Sequence, residues 1–176
     1  TVSKTVGCGF DSYHPCQTGI VMSELTKSLY YDTPIEEWKQ ILNDNMDYHY
    51  CNPMFNSDVF SNVKTVLDIG CGWGGLAREL RNKFNLDVTC LSNSPQQIDY
   101  IGSDFKTILA DADTFKTDIH YDLILYVESI GHIKDITLQN ISNNTDKIMI
   151  HDFVSNRERN YPHFAIKIRT RDQYKK

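Results

Sequence analysis

No apolar run in this 176-residue chain approaches the ~20 residues that a bilayer-spanning helix needs. The first twenty residues are polar and glycine-rich, without the apolar core of a signal peptide. Cysteines are few and odd in number: five, at positions 8, 16, 51, 71 and 90. That pattern excludes a disulfide framework and suits reduced thiols, so a cytoplasmic location is expected. Cys8, His14 and Cys16 match no standard zinc spacing and a fourth ligand is missing, so no metal site is expected. Basic residues are outnumbered, 18 Lys and Arg against 23 Asp and Glu, which argues against a long nucleic-acid footprint. Residues 157–176 differ: seven Lys or Arg face two acids, a balance of +5 that leaves −10 elsewhere. A solvated tail explains this run more simply than an anion site. Hydrophobic content of 40% and charged content of 23% are those of one ordinary globular domain.

Against these absences stands one strong feature, residues 65–77, Thr-Val-Leu-Asp-Ile-Gly-Cys-Gly-Trp-Gly-Gly-Leu-Ala. Val66, Leu67 and Ile69 read as a buried parallel strand. Gly70 and Gly72 allow a tight turn and close backbone approach to a ligand. Leu76, Ala77, Leu80 and Phe84 recur at helical spacing, so a helix opens just after the turn. Strand, glycine turn and helix form the first unit of a dinucleotide-type fold. Asp68 sits two residues before the first glycine, where its charge would repel a phosphate and attract an ammonium. The ligand expected is therefore one that bears an amino-acid group.

Asp68-x-Gly70-x-Gly72, with Cys71 between the glycines, resembles motif I of the S-adenosylmethionine-dependent methyltransferases with a Rossmann-like sheet. Further stretches extend the resemblance over about residues 30–153. It is closest to the tocopherol, sarcosine and natural-product methyltransferases and to the cyclopropane-fatty-acid synthases. After a second strand over 86–91, Ser92-Asn93-Ser94-Pro95-Gln96-Gln97 is similar to the family's T-L-S-P-x-Q. This implies ribose binding by Ser92, Asn93 and Gln97, whose hydroxyl and amide groups suit it. Ser94 is also a helix N-cap followed by Pro95 at the first helical position. A third strand over 106–110 ends in Asp111-Ala112, a pair that the resemblance assigns to adenine. A fourth strand over 121–127 leads into Glu128-Ser129-Ile130-Gly131-His132, similar to the family's E-S-x-x-H. Glu128 is thus a candidate for both cofactor binding and catalysis. A fifth strand over 147–150 ends near Asp152, and Asp152 with His132 is the candidate catalytic pair, His132 having a pKa suited to proton transfer.

Upstream, residues 20–29 read as a short helix, and Thr33-Pro34-Ile35-Glu36 reads as a capping box opening another. Its stripe, Ile35, Trp38, Ile41 and Leu42, is expected to pack on the sheet. In the resembling families this region folds over the site as a lid, and Tyr31, with Tyr30, Tyr48 and Tyr50, would then stack near a sulfonium. Asn52-Pro53-Met54-Phe55 reads as a turn. Residues 163–170 alternate as one amphipathic strand.

The expected fold is α/β: a Rossmann-like, doubly wound, mostly parallel sheet with a helical N-terminal lid and a shortened C-terminal end. Residues 1–60 would form the arm and lid, and 61–176 the core. The resemblance implies an S-adenosylmethionine-dependent methyltransferase acting on a small molecule, with no nucleic acid and no membrane span. Alternatives are a lipid-modifying enzyme of the cyclopropane-synthase kind and a cofactor-binding, non-catalytic subunit. Tyr48-His49-Tyr50 in place of Y-S-C, and Gly131 in place of an acid, weigh against the lipid enzyme. A homo- or hetero-oligomer completing the C-terminal end is a further expectation.

Overall fold

The structure, a computed structural model, describes residues 33–47, 58–133, 144–152, 159–161, 166–168, 170 and 172. The helix expected over 20–29, the tyrosines at 30, 31, 48 and 50, the 52–55 turn and Cys8, His14 and Cys16 lie outside the described residues.

The five strands of the main sheet are β1 (Thr65–Ile69), β2 (Asp87–Ser92), β3 (Lys106–Leu109), β4 (Leu123–Val127) and β5 (Ile148–His151). Their order is β3-β2-β1-β4-β5 and all four pairings are parallel. The order reverses between β1 and β4, which is where open α/β sheets place their ligands. Burial explains the apolar runs: β1 is buried from Val66 to Ile69 and β4 from Leu123 to Tyr126. Sheets of parallel strands are covered on both faces, and these are. On one face, helix α2 (Gly75–Phe84) sets Leu76, Ala77 and Leu80 against Val66, Val88, Leu123 and Leu125, with Ile101 of helix α3 (Pro95–Ile101) in the same cluster. On the other, Leu67, Ile69, Leu91, Ile124 and Tyr126 pack with Ile130 and Ile133. The α/β Rossmann-like reading is correct, and each expected strand of the sheet lies within two residues of its observed bounds.

The amino end of the sheet is stitched by one carboxylate. Asp122 Oδ2 accepts from the Lys64 and Thr65 backbone N–H groups, both at 2.8 Å, and from Thr65 Oγ1. Those donors hold its carboxyl below the usual range.

Two expectations fail. Helix α1 (Ile35–Ile41) has Pro34 at its cap position in extended conformation (φ −58°, ψ 148°), and no side chain caps it. Thr33 lies one residue too far out to complete a capping box. Nor does the α1 stripe enter the sheet: no α1 residue is fully buried, and Ile41 is 42% exposed. The helix instead touches the carboxyl end of the sheet through Trp38, whose ring lies 6.1 Å from that of Trp73. Near the C-terminus, β7 (Ile166–Ile168) pairs antiparallel with β6 (Arg159–Tyr161) as a separate two-stranded sheet. Alternation identified β7 alone; β6 is too short to show a period.

The glycine turn is locked from two sides. Gly70 and Cys71 both donate to the Leu91 carbonyl, at 2.9 and 3.1 Å. Gly70 has φ +80°, and a Cβ there would lie 2.4 Å from Ser129 Cβ. Gly72 also has a positive φ, +55°, but a Cβ there meets nothing within 4 Å. Gly70→Ala should therefore cost on the order of 3 kcal/mol, from strain and clash together, and Gly72→Ala only about 1 kcal/mol. Urea unfolding of both variants measures this; equal losses would contradict the packing described.

Candidate functional site

The carboxyl ends of β1, β2 and β4, with the turn into α2, enclose a cleft of about 380 Å³. Its wall includes Asp68, Gly70, Cys71 and Gly72 from the first strand and turn, and Ser92, Asn93 and Gln97 from the second. Asp111 and Ala112 follow β3, and Glu128 and His132 follow β4. The structure thus brings together eleven of the sequence-identified residues in one concavity. Tyr31 lies outside the described residues. Asp152 is not in the wall: it accepts a hydrogen bond from the Gly131 backbone N–H at 3.2 Å.

Asp68 is 1% exposed, and its Oδ2 finds no hydrogen-bond partner among the described residues. Burial pushes its carboxyl up to about 7. An orphaned acid lining an otherwise formed cleft fits a cationic group of a ligand. Glu128 is held in left-handed backbone (φ +53°) where β4 ends. Ser129 fixes this elbow by donating from Oγ to the Ile69 carbonyl at 2.6 Å. The Glu128 N–H donates to the His151 carbonyl at 2.8 Å. Burial, then the charge of Asp152, pushes the Glu128 carboxyl up to about 7. Strained, non-glycine backbone at a strand end is common where a side chain must be aimed at a ligand.

The second strand's contribution is already organised. Ser92 Oγ donates to Gln97 Oε1 at 2.6 Å and accepts from the Ser94 backbone N–H. Ser94 caps α3 as expected, accepting from the Gln97 N–H. Asp111 Oδ1 accepts from the Asp113 N–H at 2.8 Å, forming a turn that presents Asp111, Ala112 and Asp113 to the cleft. Cys71 is buried and hydrogen-bonded to Cys90; that bond and burial raise its thiol well above the ordinary value, so it is a packing group and not a nucleophile.

Trp38, Leu42, Trp73, Ser94, Asp113 and Ile133 also line the cleft and were not identified from the sequence as site residues. Trp38 reads as part of a packing stripe, and Trp73 as one residue among glycines. Asp113 carried a usable signal in its proximity to Asp111, and Ser94 in its place within the Ser92–Gln97 motif. Among the described residues no group of acids, histidines and cysteines could hold a metal ion, and no helix is long and apolar enough to cross a membrane.

Residues 66–149 match the family described as "Methyltransferase domain". The chain is 45% identical over 84 residues to (S)-tetrahydroprotoberberine N-methyltransferase of Eschscholzia californica, covering 43% of this chain and 24% of that protein. It is 37% identical over 84 residues to (S)-coclaurine N-methyltransferase of Papaver somniferum, with the same coverage. The chain thus spans about a quarter of the length of these curated relatives. Among solved structures, coclaurine N-methyltransferase bound to N-methylheliamine and S-adenosylhomocysteine superimposes with a TM-score of 0.54 at 26% identity, covering 71% of this chain and 44% of that one. A plantazolicin methyltransferase with S-adenosylhomocysteine reaches a TM-score of 0.62 at 16% identity, covering 86% and 71%, a likeness of fold.

The buried acid makes a testable demand on stability. The folded chain keeps the Asp68 proton to about pH 7, against an ordinary value of 3.8. Ionising it therefore destabilises the fold progressively as pH rises between those values. Asp68→Asn should raise the stability of the ligand-free chain at pH 8 by up to about 4 kcal/mol and change little at pH 4. Thermal unfolding at both pH values checks this; a variant less stable than wild type at pH 8 would refute it.

Proposed function

We propose that this chain, whose residues 66–149 match the family described as "Methyltransferase domain", transfers the methyl group of S-adenosylmethionine to the nitrogen of a small-molecule amine. The observation that carries the reading is the charge of the cleft. Asp68, Asp111, Asp113 and Glu128 line it, with no Lys or Arg among the described wall residues. Such a wall favours cations and repels carboxylate or phosphate acceptors. The relatives named above are N-methyltransferases, which supports nitrogen as the acceptor atom and disfavours a lipid-modifying role.

When bound, S-adenosylmethionine supplies a methyl group already activated on a sulfonium. Asp68, Gly70, Cys71 and Gly72 would hold its amino-acid end, Asp68 facing the ammonium. Ser92, Asn93 and Gln97 would hold the ribose, and Asp111 and Ala112 the adenine. Catalysis then rests on proximity and on freeing the acceptor's lone pair. A protonated amine must lose its proton before attack. Glu128, with a pKa near 7, and His132 are suited to receive it. Asp152 acts behind them, through the Gly131 backbone and through its charge on Glu128.

Buried free thiols at Cys71 and Cys90 suit a reducing compartment such as the cytoplasm.

Incubation with S-adenosylmethionine and a panel of cyclic secondary and tertiary amines, read by mass spectrometry, should give N-methylated products. Methylation of phenols but not amines would contradict the reading. His132→Ala should lower turnover about 10²-fold while leaving S-adenosylhomocysteine affinity unchanged; unaltered turnover would make His132 structural.

A further inference from the structure

The residue that ties the α1 lid to the glycine turn is Arg78, on α2. Its Nη2 donates to the Trp73 carbonyl at 2.7 Å, inside the turn. Its Nε donates to Asp47 Oδ1 at 2.5 Å, in the segment after α1. Its guanidinium lies 5.8 Å from the centre of the Tyr100 ring, on α3. Tyr100 in turn meets Trp73 edge-on, with centroids 5.5 Å apart, and Trp73 meets Trp38 of α1. One cation thus joins three elements, and the two tryptophans that it organises both line the cleft.

No residue of α1 is fully buried. Its tail presses directly on the start of α2: a Cβ on Gly75 would lie 2.4 Å from the Asp47 carbonyl oxygen. Gly75 is therefore the seat and Arg78 the clasp. An exposed ion pair alone contributes little, and Asp47 is 65% exposed. Arg78, however, is only 19% exposed and uses two nitrogens of a planar fork on two different segments. A lysine, with one compact charge, cannot serve both acceptors in that geometry.

We propose that Arg78 is a positioning residue that latches α1 over the cleft and so sets the affinity for the adenosyl ligand through Trp38 and Trp73. The inference rests on the cofactor reading above and adds the element that closes that site.

The chain contains only two tryptophans, both in this clasp, so intrinsic fluorescence reports it directly. S-adenosylhomocysteine is titrated into wild type, Arg78→Gln, Arg78→Lys, Asp47→Asn and the Asp47→Asn/Arg78→Gln double variant, with calorimetry and tryptophan emission read together. Arg78→Gln should bind about tenfold more weakly, the scale expected for lost charged hydrogen bonds, and should lose the ligand-induced emission change. Arg78→Lys should not restore either. Asp47→Asn should weaken binding a few-fold, and the double variant should be no weaker than Arg78→Gln alone. Wild-type affinity and emission in Arg78→Gln, full rescue by lysine, or strictly additive losses would each overturn the proposal. Should Arg78→Gln fail to fold, Asp47→Asn, at an exposed site, decides by the same two readouts. A folded wild type that binds no S-adenosylhomocysteine would overturn the cofactor reading itself, an outcome distinct from equal binding by all variants.

Discussion

A carboxylate near the end of a central strand, almost wholly buried and with one oxygen lacking a hydrogen-bond partner among the described residues, is the constraint on which the site depends. Asp68 is placed there by register: β2 and β4 pair with β1 on both sides, opposing Cys90 and Leu125 to it. Neither neighbour offers it a charge. The fold therefore carries an acid that opposes its own stability at neutral pH and that a cationic ligand would relieve. Burial costs of this kind persist where the buried group serves a ligand.

The rest of the cleft extends that logic. Glu128 is a second acid raised to about 7, held by a strained backbone and by Ser129's bond across to β1. The same serine stands where a side chain at position 70 would project, so the glycine turn and the Glu128 elbow exclude each other's substituents. The ends of β1 and β4 are thus fixed against each other at the cleft.

The parts legible in the sequence were those with a single physical cause. Buried parallel strands announce themselves as apolar runs, and Gly70 and Gly72 sit where the backbone needs positive φ. Asp68, Ser92 and Glu128 could be placed at the cleft because each lies at or just beyond the carboxyl end of a strand whose end was readable, and Gln97 because it opens the helix after β2. Trp38 could not: apolar spacing on a helix says that a face is covered, not whether sheet or cleft covers it. Arg78 was equally silent, since its partners are a backbone carbonyl and an acid 31 residues away. Thr33 misled because a capping sequence does not fix where the chain actually turns; Pro34's extended backbone did.

Asp68, partly protonated near pH 7 in the ligand-free chain, is expected to ionise fully against a cationic ligand. Calorimetric titration of S-adenosylhomocysteine at pH 7, repeated in buffers of different ionisation enthalpy, counts the protons exchanged on binding. Net proton release is expected at pH 7, from Asp68 facing the ligand's ammonium, and it is expected to shrink at pH 8, where that acid is already mostly ionised. Binding at pH 7 with no proton exchange, or with proton uptake, would contradict it.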